Sequence, residues 1–176
     1  MLRDCGLDYT LIDRYEVEER YPAGLPPHDV PLFLSQLKSD AYPEPLAAND
    51  ILLTADTVVV AAGGILGKPH DREDAKNMLR RLSGREHTVY TGVCISAHGK
   101  ETVFSEATKV KFFDLTDKEI ADYVLSGEPM DKAGAYGIQG LGCTLVEGIG
   151  GDYFNVVGLP VARVVREIKK ITGAEK

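Results

Sequence analysis

Cysteine is scarce in this chain and widely spaced: Cys5, Cys94 and Cys143 are the only three in 176 residues. No two form a Cys-x-x-Cys pair, which argues against a structural zinc site. Cys94 and Cys143 lie in apolar runs and are expected to be small core residues. Histidine is equally sparse. His28, His70, His87 and His98 show no ligand spacing such as i, i+4, and are expected in loops or in solvent. No apolar stretch reaches the ~20 residues of a membrane-spanning helix, so no membrane partner is expected. The first residues lack a Lys/Arg-rich segment followed by a long apolar run, so the chain is expected to be cytoplasmic. Positive charge is in deficit, with 20 Lys and Arg against 27 Asp and Glu, a net charge of −7. That balance argues against a nonspecific nucleic-acid-binding surface. A local cluster of lysines can still bind an anionic small molecule, especially beside a divalent metal.

Several common nucleotide and hydrolase motifs are missing. Gly67-Lys68 is not a P-loop, because Ala62 stands five residues before Gly67 and Pro69 replaces the Ser/Thr that would hold magnesium. Gly140-Leu141-Gly142 does not continue to the third glycine of a dinucleotide fingerprint. Gly148-Ile149-Gly150-Gly151 does not join a strand to a helix start. No Gly-x-Ser-x-Gly occurs, so a nucleophilic serine has no support. Internal repeats and low-complexity segments are absent as well.

What is present is a chain built around Leu52–Val60, an apolar run rich in β-branched residues with one carboxylate, Asp56, set into it. Such a carboxylate must be paired, metal-bound or at a cleft edge. An Asp hydrogen-bonded at a strand end would satisfy the same pattern. Upstream, Asp8–Val17 reads as a strand. After a Pro/Gly-rich loop, Asp29 opens a helix with Val30, Leu34, Leu37 and Ala41 on one face and Lys38 beside them. Downstream, Gly63-Gly64 turns into a short strand at Ile65-Leu66. Asp71 starts a helix with Ala75, Met78, Leu79 and Leu82 at i, i+3, i+4, i+7. Two long strands, Glu86–Ala97 and Thr102–Phe113, flank a hairpin turn at His98-Gly99-Lys100. Thr116 and Glu119 form a capping box for the next helix. Glu128–Gly142 reads as a shaped loop and Cys143–Ile149 as a short strand. Gly150–Tyr153 reads as a turn. A last helix follows Pro160, burying Val161, Val164, Val165, Ile168 and Ile171. Mixed strands and helices with an antiparallel hairpin predict an α/β fold with a mixed sheet.

Polar residues at element ends remain: Glu19, Lys38, Asp56, Lys68, Asp131, Lys132 and Gln139. Each is ordinary alone, since a helical Lys is usually solvated and a Gln in a Gly-rich loop is usually a turn residue. As a set, carboxylates with lysines suit a phosphate-and-metal site.

Six segments in order resemble the Maf family of nucleotide pyrophosphatases. They are Thr54-Ala55-Asp56-Thr57-Val58-Val59, Ile65-Leu66-Gly67-Lys68-Pro69, Met78–Gly84, Val89-Tyr90-Thr91-Gly92-Val93, Gly127–Gly140 and Gly151–Pro160. The resemblance implies an elongated, mixed, twisted sheet flanked by helices, with two lobes and a central cleft. It implies hydrolysis of a nucleoside triphosphate to the monophosphate and pyrophosphate. Asp56 matches the family's proton acceptor, and Thr57 and Gln139 match positions tied to base selection. Ala-Asp-Thr with Ile-Gln-Gly resembles the branch acting on dTTP and UTP, whereas the 7-methyl-GTP branch carries Ser-Asp-Gln and Ser-Glu-Gly. Glu19, Lys38 and Lys68 match the metal- and phosphate-binding acid and lysines. Glu19 and Asp56 are thus the implied ligands of a divalent cation, Mg²⁺ or Mn²⁺, with Lys38 and Lys68 on the phosphates. A homodimer is implied too, and so is a second role, nucleotide-binding control of septum formation. Relatives begin with a strand and a Ser-x-Ser-Pro-Arg-Arg loop. Met1–Leu7 resembles the end of the helix that follows them, so residues 1–176 are expected to form one Maf-like domain without that strand and loop. Reduced activity is expected to follow, since Arg contacts to phosphate are bidentate and strong.

Overall fold

The computed structural model describes residues 1–13 and 15–173. Among the described residues, five strands form one sheet in the order β2-β1-β3-β4-β5. They are β1 (Ile51–Ala61), β2 (Gly64–Leu66), β3 (Glu86–Ala97), β4 (Lys100–Phe112) and β5 (Val146–Gly150). Every pairing among the described residues is antiparallel, so the parallel pairing that a mixed sheet would contain is not seen there. The helices are α1 (Val30–Asp40), α2 (Arg72–Leu82), α3 (Asp117–Leu125), α4 (Tyr153–Val157) and α5 (Val161–Thr172). Among the described residues, no helix is long and apolar enough to cross a membrane.

Alternation along β1 and β3 assigns each side chain to a face. On one face α1 packs, with Val30 and Leu34 against Val58, Val60 and Tyr90. The opposite face carries two apolar clusters. One gathers Val59, Val89, Val110 and Phe112 under α2 and α3, with Leu79, Leu82, Ile120 and Val124 at its centre. The other sets Val93, Ile95 and Phe104 against Leu159 and against Val164 and Ile171 of α5. Between the clusters runs a polar row, Thr57, Thr91 and Thr108, covered by α4. This row divides the helix-covered face into two lobes.

Local signals explain most element ends. Asp71 accepts from the Asp74 amide at the start of α2. Thr116 and Glu119 complete a reciprocal capping box on α3. Asp29 is the N-cap of α1, but its side chain makes no capping bond.

Several expectations require correction. The described residues of 8–17 form no strand. They run beside α1, where Tyr15 donates to the Lys38 carbonyl (3.0 Å) and packs edge-on against Tyr42. A helix offers no open ladder to pair with, so β-propensity is overridden by context. The strand expected over Cys143–Ile149 begins only at Val146, because Gly140–Leu145 winds into a 3₁₀ turn. Cys143 is therefore exposed rather than in the core, whereas Cys94 is buried as expected. After the turn at Gly150–Asp152, Tyr153–Val157 adds a short helix that the sequence did not announce.

His87 is also corrected: it is 3% exposed, not in a loop or in solvent. Its ring packs edge-on against Phe112 and Tyr136, and Nε2 lies 2.7 Å from the Tyr136 hydroxyl. Burial pushes its pKa down from 6.5 to about 4, so the ring is neutral in the folded protein. The unfolded chain binds this proton more readily. Stability from this site is therefore complete above pH 6.5 and declines as pH falls towards 4, by about 3 kcal/mol in all. His87→Gln should remove that share of the acid sensitivity. We expect the melting-temperature gap between neutral and mildly acidic buffer to shrink by roughly 4–8 °C in the variant. An unchanged gap would show that His87 already titrates normally.

Candidate functional site

The edge of β1 opposite β3 is the floor of the site. β2 pairs only with Val59–Ala61, so Ile51–Val58 carries no strand on that edge among the described residues. A cavity of about 640 Å³ opens there. Glu19, Lys38, Asp56, Thr57, Lys68 and Gln139 all line it, together with Asp131 and Lys132. Six separate stretches of chain contribute these eight side chains, which lie up to 120 positions apart.

Asp56 and Thr57 are neighbours in β1 and so project to opposite faces. Asp56 faces α1, where Lys38 Nζ donates to its Oδ1 at 2.7 Å. The same ammonium lies 2.9 Å from Glu19 Oε1. Lys38 thus bridges two carboxylates that come from different segments. Its approach depends on Gly92, the register partner of Asp56 on β3. A Cβ at Gly92 would lie 2.2 Å from the Pro31 carbonyl, so α1 rests directly on the sheet at this point.

Burial is the largest influence on both members of this pair. It raises the Asp56 carboxyl above its ordinary 3.8 against the opposing pull of Lys38. It also works against the charge on Lys38, but hydrogen bonds and attraction from Asp56 and Glu19 more than offset it and hold the ammonium above its ordinary 10.5. The result is a charged lysine beside a carboxylate that holds its proton more readily than a solvated one. That is a useful state for a group that must take a proton.

Lys68 is exposed on the segment after β2, which Gly134 N pins by donating to the Gly67 carbonyl at 3.0 Å. Its positive charge draws down both Asp56 and Asp131. Asp131 itself pairs with Lys132 at 2.6 Å. Gln139 is exposed at the tip of the loop 128–142, immediately before the Gly140–Leu145 turn. That loop is closed at its base by Glu128. One Glu128 oxygen accepts from the Leu141 amide (2.9 Å), and the other from Gly142 N (2.9 Å) and the Tyr123 hydroxyl (3.0 Å). Gly137 N donates in turn to that hydroxyl. The loop expected from composition is therefore a built structure.

On the far face, Thr57 meets Thr91, and the Thr91 hydroxyl donates to the Asn155 carbonyl of α4. Sequence reasoning missed Thr91 and His87 as parts of the site's foundation. Their common parity with Val89, Val93 and Ile95 along β3 was the available signal.

Among the described residues, no three His, Cys, Asp or Glu side chains are placed to hold a metal ion. The donors that do converge are the two carboxylates on either side of Lys38. Two hard oxygen donors suit Mg²⁺, which commonly takes one or two carboxylates and completes its shell with substrate phosphates and water. They do not amount to a cage made of protein alone.

The chain is similar to known proteins over most of its length. The family described as Maf-like protein matches residues 1–171. The chain is 50% identical to a dTTP/UTP pyrophosphatase of Bacillus anthracis over 170 residues, covering 97% of this chain and 88% of the relative. It is 50% identical to one of Bacillus cereus over 155 residues, 88% of this chain and 81% of the relative. It is 43% identical to one of Phocaeicola vulgatus over 172 residues, 97% and 89%.

Proposed function

This chain belongs to the Maf-like protein family, and from that premise we propose that it is a nucleoside triphosphate pyrophosphatase acting on dTTP and UTP. The observation that carries the reading is one cavity lined by a partly buried carboxylate, Asp56, two lysines, Lys38 and Lys68, and two polar residues able to face a base. Relatives of 43–50% identity bearing the name dTTP/UTP pyrophosphatase support the substrate class.

In this reading Asp56 orients a water and takes its proton as the water oxygen bonds to the α-phosphorus. The bond from that phosphorus to the bridging oxygen breaks, and pyrophosphate leaves with the electron pair. Lys38 and Lys68 stabilise the charge on the phosphate oxygens, and positioning supplies much of the acceleration. Lys38 must exchange part of its contact with Glu19 and Asp56 for phosphate. A divalent cation, Mg²⁺ or Mn²⁺, would be held by Glu19 and Asp56 and would add positive charge at the triphosphate. Thr57 and Gln139 are assigned to the base, because polar groups that a bound base covers and leaves unpaired cost affinity. The reading includes residues 1–176 as one domain, a cytoplasmic setting and a homodimer. Control of septum formation through nucleotide binding alone is the competing role.

Pyrophosphate and monophosphate release should be measured from dTTP, UTP, CTP and 7-methyl-GTP with Mg²⁺. Turnover of dTTP and UTP well above the other two is expected. Nucleotide binding with no pyrophosphate from any of the four would replace the enzyme with the regulator.

A further inference from the structure

The threonine row beneath α4 has a direction. Thr91 is completely buried and lies in register with Thr57 across β1 and β3. Its hydroxyl has one hydrogen and two neighbours, Thr57 Oγ1 at 2.9 Å and the Asn155 carbonyl at 3.1 Å. A carbonyl only accepts, so the contact to Asn155 requires Thr91 to donate there. Thr57 then donates to Thr91. Reversing the pair would strip Asn155 of its threonine donor and send the Thr57 hydrogen to the Gly158 carbonyl at 3.4 Å. In both arrangements the Thr57 hydrogen is consumed inside the protein. What Thr57 retains towards the cavity is a lone pair. Gly158 leaves that side open, since a Cβ there would come no closer than 3.9 Å to Thr57 Oγ1 and would meet nothing else within 4 Å.

We propose that Thr91 is a positioning residue for base selection: it fixes the Thr57 hydroxyl as an acceptor, so the cavity favours a base whose facing ring nitrogen carries a hydrogen. Uracil and thymine carry that hydrogen at N3, and cytosine does not. The inference rests on the pyrophosphatase reading and says which atom of the protein separates its substrates from the third pyrimidine. Thr91 does not line the cavity and acts only through Thr57. Its loss therefore changes the ratio between substrates and not merely the overall rate.

The test compares kcat/KM for UTP, CTP and N3-methyl-UTP in the wild type, Thr91→Val and Thr91→Ser. The wild type should prefer UTP over both other nucleotides by at least about tenfold. Thr91→Val frees the Thr57 hydroxyl to turn, and the UTP-to-CTP ratio should fall severalfold or more. Thr91→Ser keeps the hydroxyl and should preserve the ratio. Equal use of N3-methyl-UTP and UTP by the wild type would overturn the inference, and so would an unchanged ratio in Thr91→Val. If the valine variant does not fold, the N3-methyl comparison decides alone. Absence of pyrophosphate from every nucleotide would remove the pyrophosphatase reading itself, whereas turnover without base discrimination would remove only this inference.

Discussion

Asp56→Asn should lower kcat for dTTP and UTP by about 10²–10⁴-fold, the range typical of losing a positioned general base. The substitution keeps the shape of the side chain and an oxygen that can still accept from Lys38. It removes the capacity to take a proton at this point. Lys38 keeps its second carboxylate, Glu19 at 2.9 Å, so the partly buried ammonium is not stranded. Thermal unfolding should therefore change little compared with the rate. The acid limb of the wild-type profile gives an independent check. Burial raises the Asp56 carboxyl, so the base becomes protonated at a higher pH than a solvated aspartate would. The rate should fall with an apparent pKa above 3.8, and Asp56→Asn should abolish that limb. Turnover within a few-fold of the wild type would assign proton transfer elsewhere.

Much of this architecture was legible because single residues carried local instructions. Asp71, the Thr116–Glu119 box and the alternation through Glu86–Ala97 each specify their element without help from the rest of the chain. Asp56 was legible as an anomaly, a charge in an apolar strand whose solvation must be replaced. Its partners were not, because nothing in the spacing of Glu19, Lys38 and Asp56 says that one ammonium lies between two carboxylates. That convergence is a product of α1 lying across the sheet. The strand expected at Asp8–Val17 failed for the same reason in reverse: its neighbour is a helix with its own backbone bonds already made. His87 was misplaced because histidine is usually wet, and only its phase in β3 pointed inward. The Glu128 clasp was hidden too, since a carboxylate gathering two amides and a phenol joins residues brought together by a loop without periodicity.

Gly92→Ala tests whether the close seating of α1 holds the site together. The added methyl would stand 2.2 Å from the Pro31 carbonyl carbon and oxygen and 2.3 Å from the Leu32 amide nitrogen. These are backbone atoms, so no rotamer change relieves the overlap and the helix must move as a body. Overpacking of this kind commonly costs 1–3 kcal/mol, and a backbone-to-backbone obstruction belongs at about 3 kcal/mol or above. In a chain of this length that corresponds to a melting-temperature loss of roughly 6–12 °C. Gly64→Ala supplies the contrast, because a Cβ there meets only the Ala61 carbonyl oxygen at 3.9 Å and the backbone needs no positive φ. It should leave the melting temperature unchanged or slightly raised. The functional consequence follows from register. Gly92 sits opposite Asp56, and the helix it seats carries Lys38. Pushing α1 outward lengthens the Lys38–Asp56 contact before it disturbs either apolar cluster on the other face. Gly92→Ala should therefore lose pyrophosphatase activity at temperatures where it is still fully folded. A variant that loses stability but keeps its rate would mean that the Lys38–Asp56 distance is not what the glycine protects.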